Sequence, residues 1–106
     1  MDKLIFSDWD GTYLEHPEIH GMVKAIVTGK SWEHSDEIEA DVPVFFNPMP
    51  KGEGYNLLEI VNHKANVINK CEVTDYYEDD IEQKNMLVIM CPKTKIHLVK
   101  EGQTAI

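Results

Sequence analysis

The chain has 106 residues, 42% hydrophobic and 27% charged, which is enough for one domain with a core and too little for two. Nineteen acids against ten bases leave a formal charge of −9, and every one of the ten bases is lysine. That balance disfavours nucleic acid as a partner, because phosphate backbones are held by dense basic surfaces and bidentate contacts rely on arginine.

In chain order, Leu4-Ile5-Phe6 is a continuous apolar run, the pattern of a short strand buried on both faces of a parallel sheet. It is far too short for a signal peptide or a membrane span, so the chain is expected in the cytoplasm with no membrane partner. A second run covers residues 23–27 and ends in Thr28-Gly29-Lys30-Ser31, read as a turn with Ser31 as an N-cap. Residues 32–40 are acid-rich and long enough for one or two helical turns. A third run, 42–46, leads into Asn47-Pro48-Met49-Pro50-Lys51-Gly52-Glu53-Gly54, a loop by composition.

Over residues 55–70 the apolar positions Leu57, Leu58, Ile60, Val61, Ala65, Val67 and Ile68 recur at spacings of three and four, which predicts a helix packed by one face on a sheet. Residues 73–77 form a fourth strand candidate with Glu78-Asp79-Asp80 at its end. Residues 81–90 form a second helix stopped before Pro92, and 95–100 alternate as a last strand. Strands alternating with helices predict a small α/β, Rossmann-like, three-layer fold, its mainly parallel sheet having about five strands, in one domain over residues 1–106. Cys71 and Cys91 show no metal spacing and read as reduced core residues.

In a parallel sheet, ligands bind beyond the carboxyl ends of the strands. Two carboxylate clusters are expected there, Asp8-Trp9-Asp10-Gly11-Thr12 and Glu78-Asp79-Asp80. Residues i and i+2 of an extended segment point the same way, so Asp8 and Asp10 reach one substrate group, as a nucleophile and a proton shuttle would. A hard cation between Asp8 and Asp79 would offset their repulsion of an anionic phosphate, and Mg²⁺ prefers such oxygen ligands.

The pattern as a whole resembles the haloacid dehalogenase-like (HAD) phosphatase superfamily. Its first motif, an apolar strand followed by Asp-x-Asp-Gly-Thr, is matched by Leu4 through Thr12. Its second, a strand ending in Thr or Ser, is matched at Thr28, its third by Lys64, and its fourth by the acids after Tyr76-Tyr77. The resemblance implies that Asp8 attacks phosphorus to give an aspartyl-phosphate and that Asp10 is the general acid and base. It implies Mg²⁺ held by Asp8, the Asp10 carbonyl and Asp79, with Glu78 and Asp80 as second choices, and Thr28 and Lys64 on the phosphoryl oxygens. The substrate it implies is a phosphomonoester, on a small molecule or a macromolecule, and the same intermediate would serve a phosphotransferase.

Many members carry a cap domain between the first and second motifs or between the second and third. Here only fifteen residues, 13–27, separate the first motif from Thr28, and the second interval, Gly29 to His63, already houses a strand and much of a helix, which leaves no room for one. The site is therefore expected to be open, with residues 14–21 as a solvated flap. Thr28-Gly29-Lys30-Ser31 resembles the end of a phosphate-binding P-loop, but Lys24 stands where that loop requires glycine. A receiver-like domain is disfavoured because Asn47, an amide, stands where the phosphorylated aspartate would be. A catalytically silent binding or adaptor protein with a basic partner is the remaining alternative. His16 and His20 are not expected to form a metal pair, since Pro17 opposes the helix that would present them together. Trp9 and Trp32 read as packing residues, with Trp9 also a candidate for the site mouth.

Overall fold

Five strands form one parallel sheet: β1 (Ile5–Ser7), β2 (Val23–Ser31), β3 (Val44–Asn47), β4 (Asp75–Glu78) and β5 (Lys95–Leu98), in the spatial order β3-β2-β1-β4-β5. The structure is a computed structural model and describes residues 2–48, 56–100 and 103–104. Residues 49–55, most of the loop expected after Asn47 and the expected first residue of the long helix, lie outside those described.

Two helices lie on one face. Helix α1 (Leu57–Lys70) starts at Asn56, whose side chain accepts the Glu59 amide, and α2 (Ile81–Met90) starts at Asp80, which accepts the amides of Glu82 and Gln83. Val61, Ala65 and Ile68 of α1 and Leu87 of α2 pack on Phe6, Ala25, Val27 and Tyr76 of the sheet. Steps from β3 to β4 and from β4 to β5 run the same way across the sheet, and right-handed crossovers put both connections on the same side.

The opposite face is covered by short turns in place of helices, because the interval before β2 is too short for one. Trp9, Tyr13, Ile19 and Ile38 form this third layer against Val23, Ile26 and Tyr77. The segment expected as a solvated flap is instead packed: Ile19 and His16 are buried, and residues Pro17–Ile19 make a single 3₁₀ turn. His16 Nδ1 pairs with Glu18 at 2.9 Å, while the His20 ring stacks on Tyr13, so the two histidines serve separate contacts.

Tyr76 faces the helices and Tyr77 the turn layer, the period-two alternation of a strand. Between β1 and β2 the pairing passes from Ile5 with Val23 to Phe6 with Ala25. Lys24 is the extra, exposed residue of this bulge, which lets both strands keep apolar side chains on both faces.

β2 runs four residues past the expected end at Val27. Its pairing with β3 breaks after Val27 and resumes at Ser31 opposite Asn47. Thr28-Gly29-Lys30 is therefore an irregular stretch inside a strand and not the turn expected there. Ser31 does cap the following 3₁₀ segment, Trp32–Glu37, by accepting the Glu33 amide.

Candidate functional site

The carboxyl ends of β1, β2 and β4 surround a cleft of about 260 Å³ lined by Asp8, Asp10, Thr28, Lys64 and Asp79, with Gly29, Lys30, Ile60, Asp80 and Gln83 completing the wall. Four separated chain segments thus bring all five candidate site residues to one place.

Asp8 follows β1 in an extended conformation, and its backbone N–H donates to the Tyr77 carbonyl at 3.0 Å. The chain then makes a wide turn, closed by Tyr13 N–H to Asp8 O and Leu14 N–H to Trp9 O, both 3.1 Å. Gly11 at φ +70° permits it, and a Cβ at this position would lie 2.1 Å from Asp79 Oδ2. Glycine is required here both by the left-handed backbone and by the close approach of the carboxylate. Thr12, fully buried, donates to Asp79 Oδ1 at 3.3 Å. Trp9 turns into the core of the other face and does not line the cleft.

Asp10 keeps its side chain 65% exposed, 3.8 Å from the Lys30 ammonium. Asp8 is at the cleft floor and Asp10 at its rim, which suits a buried nucleophile and a group that exchanges protons with solvent. Thr28 is buried, and its oxygen accepts the Lys30 amide at 3.1 Å, leaving its O–H to donate toward the cleft. Gly29 lets this stretch press against α1, since a Cβ there would come within 2.7 Å of Ile60 Cγ2.

Lys64 is buried to 2% exposure. It lies in the apolar stripe of α1, between Val61 and Ile68, so its stem packs as a core side chain while its ammonium reaches the strand ends. Nζ donates to Glu78 Oε1 at 2.8 Å and to Gln83 Oε1 at 2.6 Å, and lies 3.2 Å from Asp8 Oδ1. Burial works to lower the Lys64 pKa, but Asp8 and Glu78 together hold it above the usual value, so the amine stays charged. Burial pushes the Asp8 carboxyl well above the usual carboxylate range; Lys64 opposes this and Glu78 adds to it.

The three consecutive acids at the end of β4, Glu78, Asp79 and Asp80, divide their work. Glu78 continues the alternation of Tyr76, faces the helices and is sealed against Lys64; its other oxygen accepts the Asp80 amide at 3.3 Å. Asp80 caps α2. Asp79, between them, points to Gly11 and Thr12. The pairing of Glu78 with Lys64 and the part of Gln83 were not foreseen from the sequence. For Glu78 a signal existed: position i+2 from an apolar strand residue shares its face, and that face meets the helix carrying Lys64.

No family model, no curated protein and no solved structure matches this chain.

Among the described residues, Asp8, Glu78 and Asp79 each offer a carboxylate oxygen, all within 4.8 Å of one another. Asp8 and Glu78 face the Lys64 ammonium and Asp79 lies beside them, a cluster of acidic groups in a partly buried place whose repulsion a divalent cation would offset. Hard oxygen donors of this kind fit Mg²⁺, and the glycine-lined, threonine-oriented seat of Asp79 fits a residue held for a ligand. The Asp10 side chain lies outside this group, so its part in holding a cation would fall to its backbone carbonyl. No helix among the described residues is long and apolar enough to cross a membrane.

Proposed function

We propose that this protein is an HAD-like, Mg²⁺-dependent phosphohydrolase with an open, capless site and Asp8 as nucleophile. The observation that carries the reading is the convergence of Asp8, Asp10, Thr28, Lys64 and Asp79, from four separate segments, on a single cleft. Joint convergence is the support, since each of these residue types is common at strand ends taken alone.

In this reading, Asp8 Oδ attacks phosphorus as the bond to the leaving oxygen breaks, and an aspartyl-phosphate forms on Asp8. Asp10 gives its proton to the leaving oxygen. It then takes a proton from water, which attacks phosphorus and returns the Asp8 carboxylate. Lys64 and the Thr28 hydroxyl hold phosphoryl oxygens and stabilise the charge that grows on them. Glu78 keeps Lys64 charged and in place, and Trp9, buried on the far side, fixes the turn that separates Asp8 from Asp10. A cation held by Asp8, Asp79 and the Asp10 carbonyl would supply charge neutralisation between carboxylate and phosphate. The substrate class is a phosphomonoester, with polyanionic nucleic acid disfavoured by the −9 charge and the absence of arginine.

The test is phosphate release with and without Mg²⁺ from an aryl phosphate, sugar phosphates, nucleotides, a phosphopeptide and a 3′-phosphorylated oligonucleotide. Asp8→Asn, which keeps shape and removes the nucleophile, is the control. Release that needs both Mg²⁺ and Asp8 is expected. Full activity in Asp8→Asn, or silence across the panel from folded protein that binds Mg²⁺, would overturn the reading.

A further inference from the structure

The ammonium of Lys64 has three N–H bonds to give; two go to Glu78 and Gln83, and Asp8 stands beside it as an ion-pair partner. Glu78 Oε1 at 2.8 Å, Gln83 Oε1 at 2.6 Å and Asp8 Oδ1 at 3.2 Å surround it. A phosphoryl oxygen can reach Lys64 only where one of these partners lets go. Glu78 is an ionisable side chain fully buried at the end of β4, and Asp8 is ionisable and buried at the end of β1. Gln83 differs on every count. It is neutral, half-buried, in the first turn of α2 and on the cleft wall. Among the described residues its only other side-chain hydrogen bond is a long one, Nε2 to Asp80 Oδ2 at 3.5 Å.

Resting on the phosphohydrolase reading, we propose that the Gln83 amide is a placeholder: in the free protein it occupies the position on Lys64 that a phosphoryl oxygen takes when substrate binds. The exchange needs only side-chain rotation at Gln83, because its backbone is held by the Asp80 cap. An anion displaces the amide easily, since a charged acceptor binds an ammonium more strongly than a neutral one. The placeholder keeps the buried ammonium satisfied when the cleft is empty, which an unpaired charge in that position would not be.

The inference makes a prediction that a supporting role for Gln83 would not. Gln83→Met and Gln83→Leu keep the volume and remove the competing acceptor, so inorganic phosphate should bind more tightly, by roughly three- to tenfold. Gln83→Glu puts a carboxylate on Lys64 that phosphate displaces poorly, and binding should weaken by about tenfold or more. The measurement is calorimetric titration of inorganic phosphate into each protein with Mg²⁺ at saturation, after cooperative unfolding has been verified. Unchanged or weaker binding in the Met and Leu variants would overturn the proposal. Should neither of those fold, Gln83→Glu decides it, and wild-type affinity in that variant overturns it. Phosphate binding by the wild type with no such pattern would sink the placeholder alone, whereas a wild type that neither binds nor releases phosphate would take the enzymatic reading down with it.

Discussion

The Lys64 ammonium sits 2.8 Å from the Glu78 carboxylate with both side chains sealed from solvent, and this contact joins α1 to the end of β4. The same ammonium is thereby held 3.2 Å from Asp8. One buried pair therefore links the packing of the helix layer to the geometry of the candidate nucleophile. Taking two charges out of water is costly, and removing one partner leaves the other uncompensated.

Lys64→Met should accordingly lower the unfolding free energy by about 3–5 kcal/mol near neutral pH. Two buried carboxylates, Asp8 and Glu78, then face each other without a cation. Adding Glu78→Gln to Lys64→Met should recover part of the loss, because it removes one of the two buried acidic groups left without their partner. Urea denaturation of the two single variants and the double variant gives the coupling directly. A coupling near zero would show that Glu78 and Lys64 act independently.

Mg²⁺ should raise the melting temperature of the wild type through binding to the native acidic cluster. Asp79→Asn should lose that increment. Gly11→Ala should lose it too, since a Cβ at a φ of +70° would stand 2.1 Å from Asp79 Oδ2 and force the carboxylate out of its seat. Thermal scans across a Mg²⁺ series check both. An Asp79→Asn variant that retains the whole increment would assign the cation to other ligands.

His63 gives the expected pH dependence. It is nearly buried, its Nε2–H donates to the Phe45 carbonyl at 3.2 Å, and burial lowers its pKa from the usual value, with the Phe45 contact acting against the shift. The native state therefore takes up a proton less readily than the unfolded chain. The stability at stake is fully present above the unfolded value of about 6.5 and is lost as pH falls through it toward the lower folded value. Urea midpoints from pH 8 down to pH 5.5 should fall for the wild type and fall less for His63→Gln. Parallel curves for the two proteins would remove His63 as the cause.

Much of the candidate site was legible because its chemistry is carried by short, local patterns. Asp8 and Asp10 after an apolar strand, and Thr28 after another, declare themselves within a few residues, and so does the glycine that turns the chain at position 11. The burial of Lys64 was legible only in hindsight. Its spacing from Val61 and Ile68 places it on the apolar stripe, but lysine is so often a surface residue that composition argues the other way. The flap was misread for a related reason: Pro17, Glu18, His16 and His20 make a polar-looking segment, yet Ile19 anchors it to the second core. The continuation of β2 to Ser31 escaped notice because Thr-Gly-Lys-Ser has the composition of a turn, and only pairing with Asn47 across the sheet holds it extended.

What the amino-acid order alone determined is the alternation of buried strands with amphipathic helices, hence a parallel α/β sheet, and the chemical character of its carboxyl edge. Those follow from periodicity and from residue type, which are local. Which of Glu78, Asp79 and Asp80 meets Lys64, which is presented to the cleft and which caps α2 was decided only by the fold. Three adjacent acids are chemically alike, and it is the pleat of β4, the onset of α2 and the approach of Gly11 that send them three ways. Gln83 belongs to the same class: its contact with Lys64 spans nineteen residues and exists only because α1 and α2 pack side by side on one face of the sheet.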